Sequence, residues 1–275
     1  MASYYARPDQ NLTLTAIAVT SDDADPEYPP ENFLDENAAK PSKLTTTFGA
    51  WVFEFDDPVA PVLAALIYQY LDEDLDVRLQ GNDSDSWGSP DFEASFTIPA
   101  KRYDGPSYQR WTVSPYMVLD GSPSYAFWRL VIVDANSQAV AVGGLFLASG
   151  YQALDLFVDQ PMPEDDTAGE IVHPTELGVE TIYDLGGPRR GITILRIASD
   201  QSAGTAPVQA AADFRRLSES LNGRQHPFLF IPFGTRNDAW LVRPESAIHA
   251  RTHHVDGRQD WPLSLREVSR GLPWP

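Results

Sequence analysis

The chain has 275 residues, of which 43% are hydrophobic and 21% charged, so it can bury real cores and is not a disordered polymer. It contains no cysteine, which excludes disulfides, thiolate metal sites and cysteine nucleophiles. No apolar run is long enough to span a bilayer, and the first residues lack a basic stretch followed by an apolar block. We therefore expect a protein without membrane insertion or a secretory signal, folded in a cytoplasm.

The formal net charge of −19 is concentrated in the first part of the chain. Residues 1–170 carry 8 basic and 28 acidic side chains, whereas residues 171–275 carry 12 basic and 11 acidic ones. This step predicts two units with different surroundings. The acidic first part disfavours specific nucleic-acid binding and anionic membranes, and the arginines of the second part suit hydrogen-bonded contacts at protein interfaces.

Short strands between turn signals fill the first 160 residues. The predicted strands are 12–19, 51–55, 62–70, 75–79, 92–98, 111–117, 125–133, 140–147 and 153–158. No amphipathic helix interrupts them, and this pattern is typical of a β-sandwich. We predict an acidic β-sandwich domain over residues 1–160.

A proline-rich, acidic segment without periodicity, 161–170, is predicted to link this domain to a second one, 171–275. The strands predicted in the second domain are 180–183, 191–198, 228–233, 239–243, 248–255 and 261–268. Its one predicted helix is 207–222, which Thr205 can cap, with Pro207 in the first turn and Gly223 as a stop. Several strands with one covering helix indicate a small β-sandwich or split barrel, so the predicted fold is mostly β with two domains.

Candidate chemical sites are weak in this sequence. His249, His253 and His254 lie close together, but strand geometry puts only two of them on one face, and the helical spacing of a zinc site is missing. Segment 82–85 has Asp and Asn at alternating positions, yet Trp87 stands where a calcium loop needs glycine, which favours a hydrated turn and leaves adventitious calcium open. Nucleophile elbows, phosphate loops and dinucleotide motifs are missing. We predict no catalytic residue, no metal site, no cofactor and no enzyme activity.

The aromatic residues are more informative. There are seven tryptophans, and five of them lie at or in predicted strands, where they are typical core or interface anchors. Trp87 instead lies in a polar loop and is the best candidate for an exposed aromatic side chain. With Tyr103 and Tyr108 it forms a predicted contact face for a glycan or receptor, and burial of Trp87 against a strand is an equal alternative.

The chain ends in a proline-rich apolar segment, 269–275, that contains Trp274. An unanchored terminus is normally polar and mobile, whereas this one is predicted to dock on its own domain or on a neighbour. Together with Arg189, Arg190 and Arg243, Trp274 is therefore a predicted subunit-contact residue.

Two stretches resemble known families. In the first half, the loop N-F-L-D at 32–35 and the strand W-V-F-E-F at 51–55 resemble the opening of galactose-binding-like, discoidin-type sandwiches. Such domains occur in carbohydrate-binding modules and in virion proteins. The resemblance implies a galactose-binding-like jelly roll for residues 1–160.

The second half resembles the tail-tip proteins of siphophages, the distal-tail and minor tail group. The resemblance lies in the order of the strand 189–194, the predicted helix, the strands P-F-L-F at 227–230 and W-L-V-R at 240–243, and the closing strand 261–267. It implies a structural protein of the tail tip or baseplate that forms a trimeric or hexameric ring and links the tail tube to hub or fibres. The implied partners are copies of itself and the tube, hub and tape-measure proteins, and the implied location is the virion tail. That family brings no catalytic residues.

The leading hypothesis from the sequence is thus a non-enzymatic, homo-oligomeric component of a phage tail tip. The alternative is a carbohydrate- or receptor-binding module of the virion that contacts a host surface glycan through Trp87, Tyr103 and Tyr108. A third hypothesis, a glycan hydrolase, rests only on the number of carboxylates, among which no pair stands out.

Overall fold

The computed structural model describes residues 3–36, 40–69, 71–98, 114–154, 164–167, 170–174, 180–184, 189–194, 198–199, 211–223, 225–232, 234, 237–246, 248, 251–252, 259–260 and 263–268. The chain divides into two compact units. The first contains Met1–Leu154 and Phe228–Leu241, and the second contains Asp155–Pro227 and Val242–Pro275.

Strands dominate both units. In chain order they are β1 Ser3–Ala6, β2 Ala18–Thr20, β3 Ser42–Lys43, β4 Gly49–Val59, β5 Leu63–Gln69, β6 Val77–Asn82, β7 Phe92–Phe96, β8 Tyr116–Val118, β9 Tyr125–Ile132, β10 Ala141–Ala148, β11 Gln152–Leu154, β12 Glu164–Thr167, β13 Glu170–Pro174, β14 Glu180–Asp184, β15 Arg189–Ile194, β16 Ala198–Ser199, β17 Phe228–Ile231, β18 Trp240–Pro244, β19 Arg251–Thr252, β20 Gln259–Asp260 and β21 Leu263–Glu267. Short 3-10 helices occupy Pro8–Gln10, Leu12–Thr15 and Pro30–Leu34, and the helix α1 is Ala211–Ser220. The predicted mostly β fold is confirmed.

The first unit contains two antiparallel sheets that enclose a shared core. One sheet has five strands in the order β2-β4-β9-β6-β7, and the other has four in the order β3-β10-β5-β8. Alternate residues of β4 and β9 point into the core, among them Trp51, Phe53 and Trp128, each of which is fully buried. The residues between them form the outer face of the five-stranded sheet, as the two-residue period of a strand requires.

The segment Phe228–Leu241 belongs to the first unit, whereas the domain boundaries predicted from sequence include it in the second domain, 171–275. The reason is strand pairing: β1 lies between β11 and β17, with Tyr5 opposite Gln152 on one side and Phe230 on the other. Phe230 is buried, and so is Tyr5. Residues far apart in sequence thus complete one sheet, which a reading of contiguous segments does not detect. The predicted linker, 161–170, contains strand β12 and the start of β13.

The second unit consists of antiparallel strands and the helix α1. Strand β21 pairs with β15 on one side and with β18, from Val242 onward, on the other, and β12 pairs with β15. Leu217 on α1 and Leu221 just beyond it are buried, and the chain turns after them through Asn222 and Gly223, which have positive φ. In the described part of the chain no helix is long and apolar enough to cross a membrane.

One predicted strand, 12–19, is wrong over most of its length. Leu12–Thr15 is a 3-10 helix, because the side chain of Asn11 accepts a hydrogen bond from the backbone of Thr13 and caps the turn. Thr13 is fully buried, and its hydroxyl accepts a hydrogen bond from the Leu147 N–H, 3.2 Å away. A polar side chain therefore lies in the core at a position where the alternating apolar pattern predicted a strand. Within 12–19, only the last two residues belong to a strand, Ala18–Thr20.

Candidate functional site

A cleft of about 460 Å³ lies on the outer face of the five-stranded sheet. Its floor follows a cross-strand row in which Thr20 of β2 is opposite Val52 of β4, and Val52 is opposite Arg129 of β9. The register of three strands thus brings these side chains to one place. The cleft has the size of an ordinary small-ligand site.

One wall of the cleft is the loop that follows β2, which carries Asp22 and Asp23. This loop is held by backbone hydrogen bonds. The Thr45 N–H donates to the carbonyl of Asp23 at 2.8 Å, and the Asp25 N–H donates to the carbonyl of Lys43 at 2.9 Å. The two acidic side chains are therefore presented by a fixed backbone.

The opposite wall is the loop between β6 and β7, which carries Asp85 and Trp87. The side chain of Asn82 donates to the carbonyl of Ser86 at 2.5 Å, which closes the loop on itself. The indole N–H of Trp87 donates to a carboxylate oxygen of Asp85 at 2.6 Å. These bonds fix the orientation of the indole ring.

Arg129 lies between the two walls. Its guanidinium carbon is 5.5 Å from the centre of the Trp87 ring, within the range of a cation–π contact. Within the described residues this side chain forms no hydrogen bond and no ion pair at 4 Å or less. Burial lowers the pKa of the Arg129 guanidinium, and the charges of Asp85 and Asp22 act in the opposite direction. Arg129 is thus a half-buried cation with free hydrogen-bond donors.

The rim of the cleft is partly apolar. Phe48 and Val133 line it and are 53% and 45% exposed, and they are two of the four large apolar side chains that are exposed in the described part. Between Phe48 and the floor, Gly49 has φ +143°, and a Cβ there would come within 2.9 Å of the Leu44 side chain. A side chain at Gly49 would therefore be strained at this φ and would clash with the buried Leu44, which explains why glycine occupies this position.

The predicted contact residues fall in different places. Trp87 lines the cleft and is half-buried. It therefore lies between the two alternatives given by the sequence, an exposed side chain and one buried against a strand. Tyr103, Tyr108 and Trp274 lie outside the described residues. For Arg189 and Arg190 only the backbone is described: they begin β15 and pair with Thr167 and Asp166.

Arg243, the remaining predicted subunit-contact residue, lies on β18 opposite Arg266 of β21. Its Nε atom is buried and has no hydrogen-bond partner among the described residues. Arg266 instead pairs with Glu245, with 2.7 Å between Nε and the carboxylate. The role of Arg243 in a subunit contact stays a prediction.

Arg129, Asp22 and Asp23 are site residues that sequence patterns alone do not identify. The signal for Arg129 was present, since it is a charged residue at an outward position of the apolar strand 125–133. Asp22 and Asp23 belong to an acidic stretch, 21–27, in which nothing distinguishes them from the neighbouring carboxylates. Their proximity to Arg129 depends on the pairing of β2 with β4 and of β4 with β9, which spacing along the chain does not reveal.

No metal site emerges from the described residues, in which no three His, Asp or Glu side chains are grouped so as to hold a metal ion. The histidines of the weighed cluster, His249, His253 and His254, lie outside those residues. Aromatic, cationic and anionic side chains line the cleft. Such a set can stack against an apolar surface and can both donate and accept hydrogen bonds.

No known protein-family model and no curated protein matches the sequence. Among solved structures, the chain is similar to the family 32 CBM of NanJ from C. perfringens, solved in complex with galactose. The TM-score is 0.37 at 6% sequence identity, and the alignment covers 55% of this chain and 99% of that one. It is also similar to a fucose-binding module of Streptococcus pneumoniae, at a TM-score of 0.37 and 10% identity, covering 52% and 98%. For the lectin-binding domain of lectinolysin, solved with Lewis b, the TM-score is 0.35 at 5% identity, covering 49% and 93%.

Proposed function

We propose that this protein is a non-catalytic glycan-binding module, and that the cleft on the five-stranded sheet is its binding site. The observation that carries the proposal is the position of Trp87 and Arg129, an indole ring and an unpaired guanidinium 5.5 Å apart in one cleft. Carbohydrate-binding was the alternative hypothesis from the sequence, with Trp87 as its central residue.

Sugars suit this combination of groups. A pyranose ring has an apolar C–H face that can pack on an aromatic side chain, and hydroxyl groups around its edge that donate and accept. Arg129 supplies donors, while Asp22 and Asp23 supply acceptors. The Ser21 oxygen is buried and has no hydrogen-bond partner in the described part of the chain.

The size and rigidity of the cleft support the same function. Its volume of about 460 Å³ can accommodate one or two sugar units. Both walls are fixed by hydrogen bonds, such as those from Thr45 to Asp23 and from Trp87 to Asp85. A site that is formed before the ligand arrives loses less conformational entropy on binding.

Binding of the purified chain to a glycan array, followed by calorimetry with the best ligand, tests the proposal. Trp87→Ala should weaken binding by about tenfold or more, because truncation of a central aromatic contact costs ~1.4 kcal/mol or more. Val118→Ala is the control, since Val118 is 50% exposed but lies outside the cleft on β8. Unchanged affinity in Trp87→Ala, or turnover of the bound glycan, would contradict the proposal.

We further propose that the module works in a virion, as a component of a phage tail tip. What supports this is the sequence resemblance of the segments 189–194, 227–230, 240–243 and 261–267 to tail-tip proteins. The test is the mass of the purified chain and its appearance by electron microscopy. Trimeric or hexameric rings would support a tail-tip role, and a monomer at high concentration would contradict it.

A further inference from the structure

The cleft contains more negative charge than its arginine balances. Three carboxylates line it, those of Asp22, Asp23 and Asp85, against the single guanidinium of Arg129. Asp85 is engaged by the indole N–H of Trp87. The carboxylates of Asp22 and Asp23 have no hydrogen bond and no ion pair within the described part of the chain. Two charged acceptors thus remain available to a ligand.

The charges in the cleft distinguish between classes of saccharide. A uronic or sialic acid could pair with Arg129 but would bring a fourth carboxylate next to the other three, and like charges at short range repel. A neutral sugar would bind through hydroxyls alone. A sugar with a protonated amino group would form charge-assisted hydrogen bonds, which are about twice as strong as neutral ones, to carboxylates that lack a partner.

The positions of the groups permit both ends of such a sugar to be recognised. Asp22 and Asp23 lie on the loop after β2, whereas Arg129 projects from the central strand β9 beside Trp87. An ammonium group can therefore lie at the acidic wall while hydroxyl oxygens accept hydrogen bonds from the guanidinium. The ammonium of the sugar and the guanidinium of Arg129 can thus occupy the cleft together.

We infer that the saccharide bound in this cleft carries a free amino group, with its ammonium on Asp22 and Asp23 and its hydroxyls on Arg129. The inference rests on the proposed glycan-binding function and narrows its ligand to amino sugars. Their N-acetylated and acidic counterparts should bind less tightly.

Calorimetry of the full chain with three tetrasaccharides tests the inference: glucosamine, N-acetylglucosamine and galacturonic acid tetramers. We expect the glucosamine tetramer to bind about tenfold more tightly than the N-acetylated one, and the galacturonic acid tetramer to bind least. The preference for the amino sugar should decrease as salt is raised, since part of it is electrostatic.

Two double variants with the same change in net charge separate the cleft from the rest of the acidic surface. Asp22→Asn with Asp23→Asn should reduce the preference for the glucosamine tetramer to about twofold or less. Asp57→Asn with Asp120→Asn should leave it unchanged, because both residues are exposed and neither lines the cleft. An equal loss in the two double variants would overturn the inference, since the attraction would then come from the overall charge of −19.

The remaining outcomes separate the inference from the proposed function. Equal or tighter binding of the N-acetylated or acidic tetramer, lost in Trp87→Ala, overturns the inference and leaves the glycan site in place. Binding of none of the three tetramers or of any array glycan, or binding that Trp87→Ala does not weaken, overturns the proposed function itself.

Discussion

The guanidinium of Arg129 lies over the indole ring of Trp87, with 5.5 Å from its carbon to the ring centre, and no acidic side chain in the described part forms an ion pair with it. A half-buried cation is costly without hydrogen-bond partners, and the indole ring compensates only part of this cost. The arrangement is typical of a group whose partner is a ligand. It gives the first prediction.

Arg129→Ala should weaken glycan binding by about 10- to 100-fold, because hydrogen bonds to a charged group contribute ~1.5–3 kcal/mol. Arg129→Lys should recover only part of the affinity, since an ammonium lacks the planar donor set of a guanidinium. The measurement is calorimetric titration with the best array glycan. The matched control is Arg78→Ala, which removes an arginine from the same sheet face but outside the cleft. Equal weakening in both alanine variants would count against a direct contact.

The second prediction concerns the acid titration of Asp76. The Nε of Arg78 donates to both carboxylate oxygens of Asp76, at 2.8 and 3.0 Å, and this hydrogen bonding lowers the pKa of the Asp76 carboxyl against a smaller opposing effect of burial. A lowered folded-state pKa means that the stabilisation is complete above the pKa of an unfolded Asp. It is lost as the pH falls through the folded-state value.

NMR titration of the side-chain carboxyl carbons should therefore give Asp76 a midpoint below the ordinary range of aspartates. In Arg78→Gln the midpoint should rise towards that range, because the charged donor is gone. No rise in the Asp76 midpoint would show that Arg78 is not its main partner in solution.

The fold could be predicted from sequence where side-chain alternation is strong. The strand predicted at 125–133 is β9, and the closing strand predicted at 261–268 contains β21, in which Leu263 and Leu265 are buried on one face. The strand predicted at 12–19 failed because the Asn11 side chain accepts a local hydrogen bond from the Thr13 N–H, which the apolar pattern does not encode. Local interactions compete with strand formation at such positions.

The candidate site could be predicted only in part, for a different reason. Trp87 was recognised because a tryptophan in a polar loop is unusual, whereas Arg129 and Asp22 are ordinary residue types whose meaning depends on what lies beside them. They are more than 100 positions apart in sequence, and only the pairing of β2, β4 and β9 brings them together. Strand order and register are long-range properties that one sequence does not specify.

The third prediction concerns the buried carboxylate of Asp238. One oxygen accepts a hydrogen bond from the backbone of Ser114 at 3.3 Å, and the other accepts from the indole N–H of Trp240 at 3.0 Å. Asp238 is only 7% exposed, so its removal leaves buried donors without acceptors. Asp238→Ala should lower the free energy of unfolding by about 2–4 kcal/mol. Urea denaturation measures this, with Asp120→Ala, an exposed site, expected within about 0.5 kcal/mol of the unchanged chain.

The last prediction tests the packing beneath the cleft-bearing sheet. Gly81 lies on β6 opposite Trp128 and Phe92. A methyl group at Gly81 would overlap the ring of Tyr125. That ring packs edge-on against Trp128, with 5.9 Å between the ring centres. The ring is partly buried and packs against the core, so it cannot move without disturbing its neighbours. Gly81→Ala should therefore reduce the free energy of unfolding by about 1–3 kcal/mol, the usual cost of overpacking. Gly88→Ala is the matched control, since nothing lies within 4 Å of an added Cβ there, and it should be neutral or slightly stabilising. If Gly81→Ala proves as stable as Gly88→Ala, the Tyr125 ring is free to move aside, and the five-stranded sheet is less tightly packed than its contacts indicate.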